Sequence, residues 1–200
     1  MTIALPKEYI SVSQVNLWHQ DRQKYIKRYF LNLPEEPSIY MEFGKSFAEA
    51  TETFIKEGII TPSLPQFYLN KIRALKGMQA EKPISLSING INVVGYIDAW
   101  DQSGNTVIDF KTSGKPWTND TLINSLQMKV YALAMYCNGE EIPLCQINWL
   151  GTKKTKEGIT FTGESYELTH RFEMSDLLQA TEFIYKTAKE ISDAWNIYHS

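Results

Sequence analysis

The dipeptide Asn89-Gly90 constrains the fold of this chain more than any other pair of residues. A two-residue hairpin turn of type I′ needs positive φ at both central positions, which Asn and Gly adopt most readily. Before it, Ile84, Leu86 and Ile88 alternate with polar residues, the period of a half-buried strand. After it, Ile91–Asp101 reads as a second strand. Gln102-Ser103-Gly104-Asn105 is another turn, and Thr106–Thr112 a third strand.

Helical periods flank this trio. Residues 11–31 carry Val15, Trp18, Arg22, Tyr25 and Tyr29 at three- and four-residue steps, with Ser11 and Gln14 spaced as a capping box and Pro34 and Pro37 beyond. A second helix is expected from Tyr40 to Lys56, with the stripe Phe43, Phe47, Ala50 and Phe54 and a stop at Gly58. A third is expected over Gln66–Gln79 and a fourth over Asp120–Cys137. Leu144–Gly151 and Ile159–Leu168 read as strands around a polar turn, and Ser175–Tyr198 as a last helix. Strands clustered between helices predict an α/β or α+β layer fold. No repeat or long linker divides the chain, so one domain over 1–200 is expected.

Composition narrows the function. The 200 residues carry 20 Lys and Arg against 23 Asp and Glu, a net charge of −3, which excludes a uniformly basic coat for nucleic acid. A local basic groove remains open, because binding follows charge placement. Two cysteines, Cys137 and Cys145, cannot supply a four-thiolate site; they read as small apolar core residues. No disulfide framework, secretory signal or apolar run long enough to span a bilayer is present, so a cytoplasmic protein is expected.

Chemistry concentrates in Gly95-Tyr96-Ile97-Asp98 and Ile108-Asp109-Phe110-Lys111-Thr112-Ser113. Alternation places Asp109 and Lys111 on one face of a strand and Ile108 and Phe110 on the other. Register decides where Asp98 lies. A two-residue turn, or a symmetric four-residue loop over 102–105, pairs positions whose numbers sum to 207. Asp98 then stands opposite Asp109, with Cβ atoms about 4.5–5.5 Å apart, a spacing that suits two carboxylates around a divalent cation. A three- or five-residue loop would put them on opposite faces.

These residues resemble the G-x-I-D and D-x-K-T core of the PD-(D/E)XK nuclease superfamily, nearest the RecB-type exonuclease branch. Gln127-Met128-Lys129-Val130-Tyr131 is similar to that branch's QxxxY helix motif. Ser11-Val12-Ser13 through Arg28-Tyr29 resembles its N-terminal helix, and Phe43–Glu52 its G-x-x-x-H-x-x-x-E helix. The resemblance implies a restriction-endonuclease-like core over 40–152, a central mixed sheet flanked by helices. An N-terminal helical segment would occupy 1–39, and a C-terminal hairpin strand and helix 153–200.

It also implies roles. Asp98, Asp109 and the Phe110 carbonyl would hold Mg²⁺ or Mn²⁺, with Lys111 catalytic and Gln127 and Tyr131 positioning Lys111 or the strand. Lys24, Arg28, Lys115, Gln127 and Tyr131 would contact DNA. The motif histidine is replaced by Ala48; Glu52, one turn on, would take its place, with Glu49 the poorer candidate, while Lys45–Glu49 and Glu52–Lys56 also read as i,i+4 surface pairs. Iron–sulfur members of the branch carry four cysteines, so no cluster is expected here.

The function implied is a metal-dependent DNA exonuclease of recombination or repair, of phage type, with a single-strand annealing or other recombination protein as partner and a homo-oligomer as a further expectation. Two alternatives stand beside it. One is a DNA-binding or scaffold module of the same fold with weak or absent catalysis. The other is a restriction-type endonuclease.

Overall fold

A computed structural model describes residues 3–200. Its centre is a five-stranded sheet in the order β1-β2-β3-β4-β5. The strands are β1 (Gln79–Ile88), β2 (Ile91–Asp101), β3 (Thr106–Ser113), β4 (Leu144–Lys154) and β5 (Ile159–His170). All neighbours are antiparallel except β3 and β4, which run parallel. The β3–β4 crossover carries α5 (Asn119–Ile123) and α6 (Leu126–Cys137). The mixed sheet with helices on both faces bears out the expected architecture. β4 runs through the boundary expected at residues 152 and 153.

Two apolar clusters cover the two faces. On one, α1 (Val12–Gln20), α6 and α7 (Met174–Tyr198) bury Trp18, Met128, Val130 and Ile184 against Ile97, Val107 and Ile147. On the other, α3 (Ile39–Glu57) buries Phe47, Ala50 and Phe54 against Ala99, Ile108, Phe110 and Leu150. Phe47 and Phe110 meet edge to face, ring centroids 6.1 Å apart. The Phe43 stripe thus faces the sheet as its spacing required. Gly58 ends α3 at φ 76°, a left-handed cap that suits glycine.

Several boundaries differ from the sequence reading. The helix expected over 11–31 breaks at Asp21, which leaves helical geometry (φ −153°, ψ 87°) and caps a new turn by accepting from Lys24 N–H. That turn is α2 (Arg22–Tyr25), and a π-helical stretch, Ile26–Phe30, follows. The Ser11 cap forms, with its Oγ accepting from Gln14 N–H at 3.3 Å. Gln14 does not complete a capping box: it is buried, and its Oε1 accepts from Tyr25 OH instead.

The helix expected over 66–79 is three short pieces around α4 (Leu69–Ile72), and β1 starts at Gln79, earlier than the alternation suggested. β1 is an edge strand, which lets it run through Pro83. The helix expected over 120–137 is two, because Ser125 caps a fresh start at α6. Cys145 is buried as expected, but Cys137, at the end of α6, is exposed.

Candidate active site

The 102–105 loop has four residues, and β2 and β3 pair Ala99 with Ile108, Trp100 with Val107 and Asp101 with Thr106. Every pair sums to 207. The ladder stops there, and the strands fork at the next position, where Asp98 faces Asp109. Asp98 Oδ2 reaches across the fork and accepts from Phe110 N–H at 2.8 Å. Beyond the fork β2 takes a different neighbour: Ile10 N–H donates to Asn92 O, and Val94 N–H to Ile10 O. The chain just before α1 thus fills the edge that β3 has left.

Asp109 is 1% exposed. Lys111 Nζ lies 2.8 Å from its Oδ2, a charge contact, yet neither carboxylate oxygen accepts a well-directed hydrogen bond. Burying a carboxylate with so little compensation is costly. Asp98 is half-buried, and its carboxyl is pushed up to about 8 by burial and by the Asp109 charge. Burial opposes the charge on Lys111, but Asp109 outweighs it and holds the amine above its ordinary value.

Lys111 is also tethered from the other side. Its Nζ donates to Gln127 Oε1 at 2.9 Å, Gln127 Nε2 donates to Tyr131 OH at 2.6 Å, and Tyr131 OH donates to the Tyr96 carbonyl. Burial and the charges of Asp109 and Asp98 raise the Tyr131 phenol, which keeps its proton. The relay runs in one direction and ends on a backbone acceptor, so the Gln127 amide is turned with its oxygen towards Lys111. The four-residue spacing on α6 puts Gln127 and Tyr131 on one face, as the sequence indicated. Trp117 adds a ring face 5.9 Å from Lys111 Nζ.

The structure therefore brings Asp98, Asp109, Phe110, Lys111, Gln127 and Tyr131 together. Glu52 and Glu49 make their contacts elsewhere. Glu52 accepts from Lys56 Nζ at 2.5 Å, and Glu49 pairs with Lys45 at 3.7 Å. Lys24 contacts Glu35 at 2.5 Å and Arg28 lies 3.8 Å from the same carboxylate, while Lys115 is exposed in the loop after β3.

One residue escaped sequence reasoning. Glu81 lies level with Asp98 in the β1–β2 register, between the pairs Ala80–Ala99 and Lys82–Ile97, and its left-handed φ of 49° interrupts the ladder there. Burial and the Glu52 charge raise its carboxyl, and its own charge adds to the upward shift of Asp98. No turn chemistry marks a left-handed glutamate in a strand, so no signal in the sequence singles it out.

Among the described residues no three His, Cys, Asp or Glu side chains form a ready metal-binding group. The donor set that fits a hard divalent cation is smaller: two apposed carboxylates, one with both oxygens short of donors, beside the Phe110 carbonyl. A cation between Asp98 and Asp109 would relieve the repulsion that raises Asp98.

A family model described as the PD-(D/E)XK nuclease superfamily matches residues 59–193. Two solved structures share the fold. One is a candidate exonuclease from Eubacterium rectale, 14% identical at TM-score 0.59, with 94% of this chain and 82% of that one covered. The other is a phage-related exonuclease from Haemophilus somnus 129PT, 14% identical at TM-score 0.56, with 90% and 82% covered. No curated protein matches the chain.

Proposed function

Because the chain belongs to the PD-(D/E)XK nuclease superfamily, we propose that it is a Mg²⁺- or Mn²⁺-dependent deoxyribonuclease, and specifically an exonuclease acting in recombination or repair in the cytoplasm. The observation that carries the reading is Lys111 Nζ, held between Asp109 at 2.8 Å and Gln127 at 2.9 Å beside the Asp98–Asp109 fork.

Asp98, Asp109 and the Phe110 carbonyl would hold the cation. When bound, it supplies Lewis-acid polarisation of a phosphate oxygen and a more acidic water. Lys111 sits where it can orient the attacking water or steady charge developing on the phosphate. The Gln127–Tyr131–Tyr96 relay keeps the ammonium from swinging out to solvent. Asp98 Oδ2 is engaged by Phe110 N–H, so Oδ1 is the oxygen we assign to the cation. Lys24, Arg28 and Lys115 are the cations we assign to the phosphates of DNA.

The exonuclease reading is supported by the fold shared with two proteins described as exonucleases. A single-strand annealing protein as partner and a homo-oligomeric assembly belong to the same reading. The test is hydrolysis of linear and supercoiled DNA in Mg²⁺ and Mn²⁺. Loss of linear DNA alone, abolished in Asp109→Ala and Lys111→Ala, is the expected result. Nicking of the closed circle would move the protein to the endonucleases.

A second reading has its own observation. Ala48 replaces the motif histidine, and Glu52 is engaged by Lys56. A catalytically weak DNA-binding module of the same fold would bind DNA without turnover in either metal.

A further inference from the structure

A groove of about 1000 Å³ opens on the far side of the Gln127–Tyr131 pair from Lys111. It runs between the segment before α1, the start of α1 and the middle of β1 and β2, with Gln127, Val130 and Tyr131 as its back wall. The fork in the sheet creates it: β2 leaves β3 at Asp98 and takes Ile10 as its neighbour, which draws Lys7 and Tyr9 alongside.

Its lining departs from the acidic balance of the chain. The chain carries more acidic than basic residues, yet among the described residues no Asp or Glu lines the groove, while Lys7 and Arg28 do. Glu35, the acid nearest Arg28, is turned to Lys24 at 2.5 Å and stands 3.8 Å from the guanidinium. Besides Tyr131, three tyrosines join these cations: Tyr9, Tyr29 and Tyr96. Tyr96 is 59% exposed and Tyr9 39% exposed, and the Arg28 guanidinium sits 5.4 Å from the Tyr29 ring centroid. Large exposed aromatics beside cations, without a carboxylate in the lining to compete, form a platform for unpaired bases and a track for phosphates. The volume lies at the top of the range for a single small ligand, which leaves room for more than one nucleotide.

We propose that this groove takes an unpaired segment of the nucleic-acid strand adjoining the scissile phosphate, with Tyr96 and Tyr9 stacking on bases and Lys7 and Arg28 pairing with phosphates. The proposal rests on the nuclease reading of the adjoining site and adds a substrate class to it: single-stranded nucleic acid at a frayed or resected end. Tyr96 couples the two places, because its side chain faces the groove while its carbonyl anchors the relay that holds Lys111.

The test is fluorescence anisotropy in EDTA, where turnover is stopped. The probes are a short labelled oligothymidylate and a dumbbell duplex closed at both ends. Tyr96→Ala should weaken oligothymidylate binding about tenfold. Lys7→Ala with Arg28→Ala should lower the salt dependence of that binding by roughly one to two counterions. Tyr96→Ala should leave dumbbell affinity unchanged. A 4-thiothymidine placed in the oligonucleotide should cross-link to the segment around Tyr9 or to Tyr96. Unchanged oligothymidylate affinity in Tyr96→Ala, equal losses on both probes, or affinity set by a terminal phosphate and indifferent to Tyr96 would overturn the proposal. Hydrolysis without any Tyr96 dependence sinks the groove alone. Groove binding without hydrolysis sinks only the nuclease reading.

Discussion

The Phe110 backbone N–H donates to Asp98 Oδ2 at 2.8 Å, across the point where two paired strands part. A side chain here replaces a ladder hydrogen bond. The same carboxylate is thereby fixed against Asp109, whose charge is one of the two main reasons that Asp98 resists ionisation. Structure and reactivity share one contact.

That contact gives a pH dependence. An unfolded Asp ionises near 4, whereas Asp98 in the fold holds its proton up to about 8. Between these values the native state binds the extra proton, so its contribution to metal-free stability is full below about 4 and lost as pH rises through about 8. Thermal melts in EDTA should show stability falling over this window. Asp98→Asn keeps a carbonyl acceptor for Phe110 N–H and should flatten the slope.

Divalent metal should reverse the trend. The cation competes with the Asp98 proton, so Mn²⁺ affinity measured by calorimetry should rise with pH up to about 8, with proton release on binding. An affinity flat across this range would contradict the assignment of Asp98 as a ligand.

Asp109→Asn separates stability from activity. The wild-type carboxylate is 1% exposed with neither oxygen in a directed hydrogen bond. Removing its charge should raise the metal-free melting temperature, while hydrolysis falls at least a thousandfold and calorimetric metal binding is lost. A variant destabilised in EDTA would show that the Lys111 contact outweighs the burial of the charge.

The relay to Lys111 predicts a graded series. Lys111→Ala should cost about a hundred- to a thousandfold in turnover. Gln127→Ala removes the acceptor at 2.9 Å and should cost roughly tenfold, mainly in kcat. Tyr131→Phe frees Gln127 to turn and should fall between wild type and Gln127→Ala. Single-turnover rates at saturating DNA would check the order.

Glu81 stands in a left-handed conformation that costs an L-residue roughly 1–2 kcal/mol. Glu81→Gly should therefore stabilise the metal-free fold by about 1 kcal/mol. It should also lower the Asp98 carboxyl, because the Glu81 charge helps to raise it. Denaturant melts and the pH profile of Mn²⁺ binding measure the two effects separately.

Much of this site was legible because parity carries it. A four-residue loop fixes which residues of β2 and β3 meet, and alternation then sorts Asp109 and Lys111 from Ile108 and Phe110. The QxxxY spacing likewise needs only the pitch of a helix. Glu81 was not legible, because its position depends on a local φ that no residue type in the stretch demands. Glu52 was half legible: the i,i+4 spacing offered the pair with Lys56, but whether a helical carboxylate turns to the site or to that lysine is a rotamer question. Asp21 broke a helix whose apolar period continued past it, a case of side-chain capping outweighing amphipathic pattern.

The tryptophan of α1 finds its partner very late in the chain. Trp18 Nε1 donates to Glu190 Oε2 at 3.1 Å, across 172 residues, and Phe30 packs on Trp195. During synthesis, therefore, Trp18 has the Tyr25 ring beside it early, at 5.2 Å between centroids, but its α7 partner is made far later. Closure of such distant contacts is slow, and the waiting surface is open to chaperones and to self-association. Competence for chemistry would then arrive as a late step of biogenesis, when α7 docks and locks the early helices beside the sheet.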